Sequence, residues 1–161
     1  MVTGASFSVA FAAVLSLVAV PVRPENDATP GSLVPCPYTQ AEIKTELGLE
    51  VDPGVSSDMQ GPAAREVGCM YPVKNSYLAF FVQRTWDPNG ESAPAQGAYG
   101  SAKLIVGDAD EATWLPAEDK EKPHLKLTYR RGKVRTTVDV HGSYFNEGTM
   151  TPKLQHLRRV P

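Results

Sequence analysis

Histidine and cysteine are scarce in this sequence, with three and two copies among 161 residues. No histidine lies between Cys36 and Cys69, and His124, His141 and His156 do not stand at the spacing of a metal-binding pair. A zinc centre draws its ligands from such residues in close array, so no metal site is expected and each histidine reads as a surface residue. Also missing are the G-x-S-x-G, H-E-x-x-H, P-loop and G-x-G-x-x-G patterns. Their absence removes the standard serine-hydrolase, zincin, nucleotide-hydrolysing and dinucleotide-binding classes. No catalytic residue and no cofactor is expected, and the chain reads as a binding protein more readily than as an enzyme.

Charge is missing from the start of the chain: residues 1–22 hold no Lys, Arg, Asp or Glu. The apolar run from Phe7 to Val20 has the length of a signal-peptide core and ends at Pro21. Residues 1–24 are therefore read as a secretory signal peptide, with cleavage after Ala19 or near Ala28. An uncleaved anchor and a buried helix are the alternatives. Residues 25–35 are polar and proline-containing and read as a linker, leaving 36–161 as one domain, exported to the periplasm or the extracellular space. In an oxidising compartment a Cys36–Cys69 disulfide is the expected state of the pair, the alternative being two buried thiols. Cys36 lies well past the apolar run and follows Pro35, which makes it a poor lipidation site. Nucleic acid is not an expected partner outside the cytoplasm. Membrane contact is expected only through the N-terminal segment, if it stays attached.

Two stretches carry strong local signals. Thr39 and Glu42 form a Thr-x-x-Glu capping box, Tyr38 and Ile43 flank it as a hydrophobic staple, and Gly48 suits a left-handed C-terminal position. This predicts a helix over Gln40–Leu47. In 124–141, Leu125, Leu127 and Tyr129 alternate with Lys126, Thr128 and Arg130. Beyond Arg131-Gly132, Val134, Thr136, Val138 and Val140 alternate with Arg135, Thr137, Asp139 and His141. Period two on both arms predicts an antiparallel hairpin with one wet face.

Between them the signals are shorter. Val67–Pro72 and Ser76–Thr85 read as a second hairpin with a turn at Asn75, whereas 49–66 and 87–101 read as loop, the latter with a turn or two of helix around Ala95–Tyr99. Phe80 and Phe81 are adjacent, so one faces the core and the other needs a second layer, ligand or partner. Asp108, Asp110 and Glu111 read as a turn entering a helix, with Trp114 as a core anchor. A calcium loop is disfavoured because Thr113 stands where its glycine belongs. Thr151 and Pro152 predict the start of a last short helix with Leu154, Leu157 and Val160 on one face. The fold expected is α+β: an antiparallel sheet with two short helices packed on one face, and one disulfide.

Charge is unevenly spread. Pro24–His124 holds 7 basic and 16 acidic residues, and Leu125–Pro161 holds 8 basic and 2 acidic. Lys126, Arg130, Arg131, Lys133 and Arg135 belong to one hairpin and form a candidate binding surface for an acidic partner, an anionic head group or a polyanion. The competing reading is a solvated face paired with the acidic half of the same domain.

The chain resembles a loose group of small exported bacterial domains of unknown function, of the signal-peptide or lipoprotein type. The likeness runs over about residues 33–160. It rests on Cys36, Thr39, Glu42, Leu47 and Gly48, then Cys69 and Tyr71, then Gly107, Asp108, Ala112 and Trp114, and last Arg131 and Gly132. The resemblance implies an exported α+β domain with a Cys–Cys bond and brings no active site with it. The function expected is a non-enzymatic binding or accessory domain of the envelope, with a protein partner or a small ligand held between sheet and helices. A secreted protein-interaction effector or enzyme inhibitor and an unconventional hydrolase are the alternatives.

Overall fold

The computed structural model describes residues 32–61, 64–88, 102–115, 124–141 and 147–161. The expected signal peptide, residues 25–31 of the expected linker and the turn of helix expected near Ala95–Tyr99 lie outside them. The described elements are α1 (Gln40–Leu47), β1 (Val55–Gln60), β2 (Arg65–Pro72), β3 (Ala79–Trp86), β4 (Lys103–Leu104), β5 (Thr113–Leu115), β6 (His124–Arg131), β7 (Val134–His141) and α2 (Glu147–His156). The strands form one antiparallel sheet of seven in the order β1-β2-β3-β7-β6-β5-β4. Two meanders, β1–β3 and β4–β7, are joined where β3 pairs β7, from Ala79↔His141 to Trp86↔Val134. Sheet therefore outweighs helix in this antiparallel α+β arrangement.

Helix α1 forms where its caps dictate. The Thr39 hydroxyl accepts from Glu42 N, the Glu42 carboxylate accepts from Thr39 N, and Gly48 closes the helix at φ 74°. Ile43 and Leu47, four apart, are both buried. They join Cys69, Tyr71, Phe80, Val82, Val138, Val140, Leu125, Leu127 and Tyr129 from one sheet face, and Met150, Leu154 and Leu157 from α2 and its exit, in a single core. Trp114 is part of it, as expected. Lys153 of α2 donates to the Leu47 carbonyl (3.0 Å), so one helix caps the other. The Cys36–Cys69 disulfide is present and ties the entrance of α1 to β2. The chain joins the fold before Cys36: Leu33, in the stretch read as linker, is buried against Val67, Val134 and Trp86. Between the sheet and the two helices, the described side chains pack against one another in this cluster.

Four expectations are corrected. Residues 55–60 are a strand, not loop. All six are exposed, so no apolar alternation announces β1, which is held by backbone pairing to β2 from Val55↔Met70 to Gln60↔Arg65. The second hairpin is longer in β2 and later in β3, with Asn75 at φ 54° in its turn and Ser76–Leu78 outside the strand. The acidic turn enters β5 and not a helix: Asp108 Oδ1 accepts from Asp110 N (2.9 Å) and Ala112 N (3.4 Å), and Glu111 sits at φ 51°, which ends any helical path. Finally, α2 begins at Glu147 with Pro152 inside it. The extra turn buries Met150 in line with Leu154 and Leu157, which offsets the hydrogen bond that a mid-helix proline removes.

Candidate functional site

Helices cover one face of the sheet, and the other face presents its side chains in cross-strand rows. The paired registers place Val55, Met70, Phe81, Asp139, Lys126 and Leu115 in one row. Two residues along each strand, the next row is Ser57, Gly68, Gln83, Thr137, Thr128 and Thr113. A third row is Met59, Glu66, Thr85, Arg135 and Arg130. The middle row is made mostly of short side chains, so the face is troughed between two taller rows. The hollow has a volume of about 490 Å³ and is lined by Val55, Ser57, Gly68, Met70, Phe81 and Lys126 together with Asp139 and His141. Gly68 contributes no side chain to the hollow, and a Cβ there would stand 2.6 Å from Ser57 Oγ.

The trough is polarised. At the β1–β3 end, Val55 and Met70 are exposed apolar side chains, with Met59 beside them. At the β7–β6 end lies a compact ionic group. Asp139, 6% exposed, has Oδ2 2.7 Å from His141 Nε2 and 3.3 Å from Lys126 Nζ. The His141 ring rests on Phe81 with centroids 4.3 Å apart, joining the two ends. The adjacent-aromatic argument thus resolves: Phe80 is fully buried in the core, and Phe81 lies on the trough. Of the other aromatic residues near this hairpin, Tyr71 is buried, Trp86 packs on the smaller cluster, and Tyr77 is fully exposed.

The five basic residues of the candidate surface do not share one face. Lys126, Arg130 and Arg135 belong to the trough face, with Arg130 directly opposite Arg135. Arg130 lies 3.9 Å from the buried Asp87 carboxylate. Arg131 points the other way and binds Asp110 Oδ2 (3.1 Å) and the Arg159 carbonyl (3.0 Å). Lys133 is exposed in the β6–β7 turn. Sequence reasoning treated His141 as a surface residue and passed over Asp139. Their spacing, Asp-x-His on one strand, was the available signal, since period two puts both side chains on one face.

Chemically, a carboxylate that orients an imidazole is two parts of a general-base arrangement. Here the same carboxylate oxygen also holds Lys126, and the hydroxyl of the neighbouring Thr137 is engaged with that of Thr128 (3.0 Å). The group suits fixing a polar or charged portion of a ligand whose apolar portion lies on Phe81, Met70 and Val55. Among the described residues no cluster of His, Cys, Asp or Glu has the arrangement of a metal site. Comparison with known protein families, curated proteins and solved structures finds no match to this chain, so the reading of its function rests on this polarised trough.

Proposed function

We propose that this chain is a non-enzymatic binding domain of the bacterial cell envelope, exported and tied by its disulfide, which takes a small amphipathic ligand in the trough of its open sheet face. The observation that carries the proposal is the polarised hollow itself. Its volume of about 490 Å³ lies within the ~300–1,000 Å³ usual for small-molecule sites. One end offers Val55, Met70 and Phe81, and the other offers Lys126, Asp139 and His141. Export is supported by the disulfide, by the uncharged apolar run at the start of the sequence, and by the resemblance to exported bacterial domains.

The test uses 1-anilinonaphthalene-8-sulfonate, an aromatic body with an anionic end, titrated into the folded, oxidised protein while backbone amide shifts are followed by NMR. Saturable shifts confined to the trough strands β1–β3, β6 and β7 are expected. Phe81→Ser and Gly68→Val, checked for native circular dichroism, should each weaken binding by about tenfold, or 1.4 kcal/mol. Unchanged affinity in both variants overturns the trough as the site. The exposed apolar edge at Val55, Met59 and Met70 favours a second reading, a protein-interaction effector. The His141–Asp139 pair is what a hydrolase would build on.

A further inference from the structure

Strand β1 is the one long edge of the sheet among the described residues, since β4 at the other edge has two residues. All six of its residues are exposed, and its outward backbone groups form a row available to another strand. The edge is not blunted by Lys or by a proline within the strand. Its single charge, Asp58, is held by Arg65 of the neighbouring strand, with Arg65 Nε 3.0 Å from Asp58 Oδ1. Val55 and Met59 are 58% and 61% exposed on the trough face. Ser56, Asp58 and Gln60 point to the opposite face, by their register with Cys69, Val67 and Arg65.

We infer that β1 is a dimerisation edge, pairing antiparallel with β1 of a second copy of this chain about a two-fold axis at Ser57. This does not depend on what the trough binds. The occupant follows from self-complementarity. Centred on Ser57, the pairing sets Val55 against the partner's Met59, Ser56 against the partner's Asp58, and Ser57 against its own copy. Each apolar side chain meets an apolar one on the trough face. On the other face each carboxylate meets a hydroxyl that can donate to it. Cross-strand pairs directly opposite one another stabilise a sheet, and like charges so placed destabilise it. Moving the centre to Asp58 would set two carboxylates against each other. Moving it to Ser56 would bring Pro53, which has no N–H, into the ladder. Registers centred on a residue also keep the helices of both copies on one side of the joined sheet, because opposite residues share a face. The contact is isologous and closed, so it stops at two copies.

The pairing is short and buries less than the ~1,600 Å² of a standard interface, so a weak dimer is expected. Sedimentation velocity on the oxidised protein from about 10 to 500 µM should show a monomer–dimer equilibrium. Ser57→Lys and Ser57→Glu place like charges opposite each other at the axis, and each should be monomeric across that range. An equimolar mixture of the two should recover the dimer. Ser57→Cys should cross-link readily on mild oxidation, whereas Ser56→Cys, which faces the partner's Asp58, should not. Native circular dichroism of each variant separates loss of pairing from loss of fold. A wild-type protein that stays monomeric at the top concentration overturns the inference. So does a dimer that both charged variants leave intact, or a Ser56→Cys variant that cross-links as fast as Ser57→Cys.

Discussion

The Tyr71 hydroxyl closes on both backbone groups of Tyr38, donating to its carbonyl (2.9 Å) and accepting from its N–H (3.2 Å). Two residues back on each strand of chain, Cys36 and Cys69 are covalently bonded. The entrance of α1 is thus fastened to β2 twice, once by a bond that chemistry can break and once by a buried phenol. Burial pushes the Tyr71 hydroxyl above its ordinary pKa, which keeps its donor proton in place. Tyr71→Phe strands two backbone groups and should cost about 1–3 kcal/mol. Cys36→Ala should cost about 3–4 kcal/mol in oxidising buffer, given the sequence separation of 33, and little in reductant. Because both changes loosen one attachment, their combined effect in urea melts should differ from the sum of the singles. Equal melting of wild type and Cys36→Ala under oxidising conditions would show that the bond does not form.

Gly54 lies directly over that disulfide. A Cβ there would stand 2.8 Å from Cys36 Sγ and 2.9 Å from Tyr71 Cε1, with Cys69 Sγ also in overlap. Neither the bonded sulfurs nor the clamped ring can rotate away. Gly54→Ala should therefore destabilise by about 1–3 kcal/mol, and by less in the Cys36→Ala background. A neutral melt would mean that the loop before β1 relaxes freely, and that β1 is not anchored from this side.

What could be read from the sequence followed the range of each signal. Helix α1 was legible to the residue, and the β6–β7 hairpin to within one residue at its turn, which falls at Gly132-Lys133 and not at Arg131-Gly132, because capping boxes and period-two alternation are local. The disulfide was legible because only one pair of cysteines exists. Strand β1 was not, because a fully exposed edge strand needs no apolar pattern and is defined by its partner. The start of α2 was misplaced because Pro152 looked like a first-turn residue, and only the burial of Met150 explains why the helix runs through it. At the candidate site, the separation of Phe80 from Phe81 and the outward placement of Lys126, Arg130 and Arg135 followed from alternation. The trough did not. Its floor is assembled from Ser57, Gly68, Gln83 and Thr137 on four strands, and small polar residues carry no signal until register lines them up.

Glu42 sets an acid limit on α1. Its carboxylate accepts from Thr39 N (2.9 Å) and from Arg158 Nε (2.9 Å). These contacts, the Thr39 N–H first, hold its pKa below the ordinary 4.5. A carboxyl group whose folded pKa is depressed contributes stability that is present above its unfolded value and is lost as pH falls through the folded one. Wild type should therefore lose urea resistance progressively below about pH 4.5. Glu42→Gln keeps an acceptor for Thr39 but loses the charge facing Arg158. It should be less stable than wild type at pH 7 by about 1 kcal/mol or less, as for an exposed pair, and the gap should close in acid. A gap that stays constant with pH would assign the effect to packing.

Arg84 is the least expected member of the core. It is 4% exposed, faces inward from β3 opposite Thr136, and donates from Nη1 to the Val34 carbonyl (3.2 Å), while its Nε has no partner. Burial pulls its pKa down, and the facing hydroxyls of Tyr129 and Tyr38 oppose that pull only in part. A buried guanidinium without a carboxylate is costly, and replacing buried charge by an apolar group of similar length is often neutral or stabilising by about 1–4 kcal/mol. Arg84→Met should therefore match or exceed the wild-type urea midpoint. Arg84→Ala should fall below it by about 2 kcal/mol, because the aliphatic stem is lost and a cavity remains. The Val34 carbonyl released by either change belongs to a residue 55% exposed, so water can replace the lost donor. If Arg84→Met is as unstable as Arg84→Ala, the charge itself holds residues 33–35 across the sheet, and the N-terminal edge of the domain depends on that one guanidinium.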